Sequence, residues 1–109
     1  MNRIVAACAA LVIAGCASQP VSPEARAKWE TCADGYVVAG WTLNRMSGGA
    51  SVEAYVRATV VATNQGCGTG GLSKEDRAAH ILAALQAIAE DPAAFVKDYE
   101  ARRDAAETK

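Results

Sequence analysis

Cys32-Ala33-Asp34-Gly35-Tyr36-Val37-Val38-Ala39-Gly40-Trp41-Thr42-Leu43-Asn44-Arg45-Met46-Ser47-Gly48-Gly49-Ala50-Ser51 is one apolar stretch followed by a double-glycine break. Its apolar residues belong to a series that starts upstream: Trp29, Cys32, Ala33, Tyr36, Val37, Gly40, Leu43 and Met46. That is the three-four spacing of one helix face. Ser22-Pro23-Glu24 supplies the start, with Ser at the N-cap, Pro at the first helical position and an acid in the first turn. Gly48-Gly49 supplies the stop. Gly35 and Gly40 each cost up to about 1 kcal/mol inside a helix, so a strand over residues 36–43 is the alternative reading. In a helix, Gly40 allows a neighbouring helix to approach closely.

Working outward, Ser51 caps a second helix with Glu53 in its first turn. Val52, Tyr55, Val56, Val60 and Thr63 form its apolar face, and Asn64-Gln65-Gly66 is expected to end it. The turn between the two helices centres between Gly49 and Ala50. Cys32 and Cys67 are equidistant from that point, so in an antiparallel helical hairpin they face each other across its open mouth. They are also the two cysteines left over in a chain that reads as exported, where leftover cysteines pair. A disulfide Cys32–Cys67 closes a loop long enough for roughly 4 kcal/mol of stabilisation in the chain-entropy model. Ser73-Lys74-Glu75-Asp76 starts a third helix. Its stripe of Ala78, Ile81, Leu82, Leu85, Ile88 and Ala89 is the cleanest in the chain and marks the core helix. Asp91-Pro92 ends it and caps a fourth, whose apolar face is Phe95, Val96 and Tyr99. From Arg102 onward the chain is polar and Ala-rich, and fraying is expected. The fold class is all-α: a small four-helix domain over residues 23–109, with its N-terminal hairpin stapled by one disulfide.

The chain has 109 residues and a formal net charge of −1, which bounds it to one domain. No basic excess points to nucleic acid, and no acidic excess points to disorder. Gly66-Cys67-Gly68-Thr69-Gly70-Gly71 contains the spacing GxGxxG. A dinucleotide loop follows a parallel strand, whereas here a helix precedes, so the glycines read as a connector that lets the chain turn past the cystine. His80 is the only histidine; it sits beside Ile81 and reads as a boundary or surface residue. One histidine and a paired cystine cannot build a metal site. Ser47, Ser51 and Ser73 have no identifiable base, and capping explains the adjacent acids Glu90 and Asp91. The expectation is no enzyme and no cofactor beyond a covalent lipid.

That lipid is suggested by the N-terminus. Arg3 precedes an uncharged apolar run over residues 4–13, the length of a signal h-region and too short to span a bilayer. Ile13-Ala14-Gly15-Cys16 follows. This resembles the bacterial lipoprotein signature at every position; Val5-Ala6-Ala7-Cys8 fits the same pattern but leaves almost no apolar run before it. The resemblance implies a signal peptide over residues 1–15 and diacylglyceryl transfer to the Cys16 thiol. It also implies cleavage before Cys16 and a lipidated linker over residues 16–22. The linker reaches roughly 20 Å when extended, so the domain stays close to the headgroups. Ala17, rather than Asp, after the cysteine favours, by that resemblance, the periplasmic face of the outer membrane.

Function is less legible. Residues 36–44 carry no charge, and none lies between Arg57 and Lys74, so the hairpin needs cover on more than one side. One expectation is that helices three and four supply all of it. Alternatively a groove remains for a partner protein, with Trp29, Trp41 and Tyr55 as anchor candidates. Size, lipobox, helical reading and single disulfide are together similar to the helical pilotin lipoproteins of secretion systems, which implies an accessory subunit that holds a partner helix. Exclusion and immunity lipoproteins share that outline. Thr31-Cys32 with a later disulfide-bonded cysteine faintly resembles small periplasmic acid-stress chaperones. A structural envelope lipoprotein without a defined ligand is the third expectation.

Overall fold

The Ser22 hydroxyl accepts a hydrogen bond from the Ala25 amide at 3.1 Å, and from this cap α1 runs over Pro23–Met46. In the computed structural model, which describes residues 21–46, 48 and 51–108, three further helices follow: α2 (Val52–Cys67), α3 (Lys74–Glu90) and α4 (Pro92–Glu107). Each begins on the cap its sequence provides. Ser51 accepts from the Ala54 amide, Ser73 from Asp76 and Asp91 from Ala94, at 3.1, 3.0 and 3.2 Å. Such caps are worth about 1 kcal/mol each. No strand occurs among the described residues, so residues 36–43 are helical. The N-terminal signature, most of the linker, and Cys8 and Cys16 lie outside the described residues, as do Ser47, Gly49 and Ala50.

The open mouth of the hairpin is stapled by the Cys32–Cys67 disulfide, whose Cα atoms are 6.0 Å apart. Helix α2 does not end at Asn64-Gln65-Gly66 as expected. It continues through Cys67, because the cystine fixes that residue on α1, and the chain breaks only at Gly68. The expected fraying after Arg102 is also absent. Helix α4 persists to Glu107, held by a contact of Arg102 described below.

The core lies where α1, α3 and the α2–α3 connector meet. Trp29, Ala33 and Val37 come from α1, Ile81, Ala84, Leu85 and Ile88 from α3, and Leu72 from the connector. Ile81 and Ile88 are fully buried, each worth about 1.5–3 kcal/mol by transfer from water. Helix α2 contributes differently from its sequence stripe. Its buried residues are Thr59 and Thr63, while Tyr55, Val56 and Val60 are half-buried and Val52 is exposed. Thr59 is satisfied internally by donating to the Tyr55 carbonyl at 2.9 Å. On α3, Ala78, Leu82 and Ala89 are exposed, since the apolar band is wider than the face its neighbours cover. No residue of α4 is fully buried; Phe95, Val96 and Tyr99 are half-buried, with the Tyr99 ring over Gly35.

The glycine-rich segment is a connector, and one of its glycines is required. Gly70 has φ +61°, and a Cβ there would lie 2.8 Å from Trp29 Cβ. The Trp29 indole N–H donates to the Gly68 carbonyl at 2.9 Å, which pins the connector to α1.

Candidate functional site

Two features of the surface bear on function. The first is an apolar groove of about 700 Å³ between α1 and α2, lined by Tyr36, Gly40, Leu43, Tyr55, Ala58 and Thr59 among others. It exists because small residues line it. At Gly40 an added Cβ would meet the Tyr55 ring and the Thr59 hydroxyl at 3.1 Å, so the glycine admits α2 as its place in the sequence suggested. The alanines at 39, 54, 58 and 62 fill little of the space beside this contact. Toward the turn, Leu43 is 65% exposed, Met46 78% and Val52 77%. The apolar stripe of α1 thus outruns the cover that α3 and α4 supply.

Tyr55, one of the anchor candidates, lines this groove. Its hydroxyl is buried without a hydrogen-bond partner in the structure, and that burial pushes its pKa above the ordinary value of 10.0. Trp41 is half-buried and packs against the edge of the core, with the Arg45 guanidinium 5.7 Å from its ring centroid. Trp29 is a correction. At 3% exposure it presents no face to a partner; it is a core residue, packed edge-on against His80 with ring centroids 5.5 Å apart. The groove therefore gathers Tyr55 but neither Trp29 nor Trp41.

The second feature, not foreseen from the sequence, is a buried carboxylate. Asp34 is 3% exposed. His80 Nε2 lies 2.8 Å from its Oδ1, and Arg102 Nη1 lies 2.9 Å from its Oδ2. One side chain of α1 thus bonds α3 and α4 at once. Around it, Glu30 lies 3.7 Å from His80 Nδ1, Asp98 accepts from Arg102 Nε at 2.9 Å, and Arg26 bridges to Asp76 at 3.4 Å. The hydrogen bond to Asp34 raises the His80 pKa above 6.5. The fields of Asp34 and Glu30 add to it, while desolvation and Arg102 oppose it.

An Asp–His pair is half of several catalytic arrangements, but here both imidazole nitrogens face carboxylates, and Arg102 takes the other Asp34 oxygen. The arrangement serves to hold three helices together. Among the described residues, no group of three His, Cys, Asp or Glu is placed to hold a metal ion, and no helix is long and apolar enough to cross a membrane. The one advance sign of this cluster was Asp34 itself, the only charged residue between Glu30 and Arg45.

No protein-family model, curated protein or solved structure matches the chain.

Proposed function

We propose that the protein is a lipid-anchored bacterial envelope lipoprotein, without enzymatic activity, that acts by binding another envelope protein. In this reading Cys16 carries the lipid and the domain is held at the periplasmic face of the outer membrane. The α1–α2 groove then receives an apolar helix of the partner, in the manner of pilotin-type lipoproteins. The observation that carries the reading is the groove. It is apolar and roomy, with the Tyr55 side chain and the exposed Leu43 in its wall. Exposed contiguous apolar surface on a small domain marks an interaction site, and an amphipathic helix in an apolar groove is a recurrent solution. Ile13-Ala14-Gly15-Cys16 supports the anchor.

The test is affinity capture of the tagged full chain from cross-linked envelopes, with mass spectrometry of the captured proteins and of the bait. A stoichiometric membrane partner that is lost on Tyr55→Ala or Trp41→Ala is expected. Many substoichiometric clients, richer after acid shock, would replace this reading with a chaperone. No partner in either condition would leave a structural envelope component. Bait lacking the mass of a lipid would remove the anchor.

A further inference from the structure

The closed end of the α1–α2 hairpin differs from the rest of the molecule in two respects. It is apolar and uncovered at Leu43, Met46 and Val52. It also carries a net positive charge. Between Asp34 and Cys67 the only charged residues are Arg45, Glu53 and Arg57; Glu53 and Arg57 pair with each other at 3.7 Å, so the excess of one positive charge is carried by Arg45. The other residues from Cys16 onward hold eleven acids against eight bases. Charge and apolar exposure are thus segregated together at one pole.

That combination fits a particular surface. Exposed aliphatic tips, an indole and an arginine are side chains of the membrane–water interface, and Trp41 here lies under the Arg45 guanidinium. A phospholipid bilayer with anionic headgroups satisfies all of them at once, with tails for the aliphatics and phosphates for the arginine. The chain preceding α1 supplies the geometry. From Cys16 the linker reaches roughly 20 Å, while α1, at 24 residues, is about 36 Å long. A domain rooted so close to the headgroups brings its far pole onto them by reclining, and the tether keeps its local concentration there high.

We infer that the closed end of the hairpin is a second membrane contact, in which Leu43, Met46 and Val52 enter an anionic phospholipid bilayer and Arg45 meets its phosphates. The anchored domain then lies along the membrane, and the groove opens at its surface. The tether in this argument rests on the anchored reading above; the hairpin contact does not.

The experiment uses the full chain as matured by an expressing bacterium. It is reconstituted into phosphatidylcholine–phosphatidylglycerol vesicles whose acyl chains are brominated or plain, and tryptophan emission is read. Trp29 is buried and serves as the insensitive reference. The expected result is a loss of emission in brominated vesicles that is absent in W41F. That loss should also disappear in R45E and in L43S/M46S, and should diminish at high salt. Intact mass reports the lipid separately. A lipidated protein whose Trp41 ignores the bromines overturns the membrane contact and leaves the anchor standing. A protein without lipid overturns the anchor; sedimentation with the same vesicles then decides the contact, charge-dependent binding supporting it and no binding overturning it. Cross-linked dimers through M46C, with Trp41 unquenched, would overturn it in favour of a second copy of the chain.

Discussion

Replacing Asp34 with alanine removes the partner of Arg102 and of His80, which is charged when protonated, on two other helices. A hydrogen bond to a charged group contributes about 1.5–3 kcal/mol, and stranding a partner of a buried pair costs about 3–5 kcal/mol. Neither figure applies in full here. The His80 side chain is 21% exposed and that of Arg102 36%, and Arg102 keeps Asp98 at 2.9 Å, so both partners reach water or another acid and screening discounts the loss. The expected destabilisation is about 2 kcal/mol, a fall in melting temperature of roughly 8–16 °C for a domain of this size. Urea unfolding should show a lowered midpoint with an unchanged slope. Asp34→Asn, which keeps an oxygen acceptor, should lose about half as much. Arg102→Ala should be coupled to it, the double variant losing less than the two single losses combined. A loss below about 0.5 kcal/mol, or strict additivity with Arg102→Ala, would mean that the carboxylate does not hold α4.

The same cluster sets a pH dependence. His80 is raised above 6.5 in the fold, so its contribution is complete below that pH and fades as pH rises through the raised value. Unfolding midpoints should fall across that window in the wild type and flatten in His80→Gln; a rise in the wild type would contradict the assignment. Reduction of Cys32–Cys67, or Cys32→Ser with Cys67→Ser, should cost about 4 kcal/mol if chain entropy dominates, read by urea unfolding with and without reductant. Gly70→Ala should cost about 2–3 kcal/mol, because it combines a left-handed backbone with an overlap on Trp29 Cβ; a neutral effect in thermal melts would show that the connector can shift. Met46→Ser should change stability by less than about 0.5 kcal/mol, since that side chain is 78% exposed. A larger loss would place it against something in the folded protein.

The helices were legible because their signals are local. Ser22-Pro23, Ser51, Ser73 and Asp91 each announce a start within four residues, and the glycines that follow α1 announce its stop. The cystine was legible because hairpin symmetry converts sequence distance into spatial proximity. What escaped was non-local. The partners of Asp34 lie 46 and 68 positions further on, and periodicity counts apolar residues without asking what a lone acid among them will meet. Arg102 looked like the start of a frayed tail for the same reason. The exposure of Leu43, Met46 and Val52 escaped because a stripe tells which side of a helix is apolar and not how far along it the neighbours reach. Trp29 was misjudged because an aromatic reads alike as core or anchor until the connector is seen closing over it.

The carboxylate of Asp34 also acts as a ruler. Apolar side chains such as Phe95 and Tyr99 could slide along α1 and still find hydrocarbon. A slip of one helical turn, about 5.4 Å, would withdraw Arg102 and seal the acid against apolar surface with one donor missing. Misaligned packings of α4 are thereby made costly whatever they gain in contact. The charge at the centre of the molecule selects which of several greasy alignments becomes the fold.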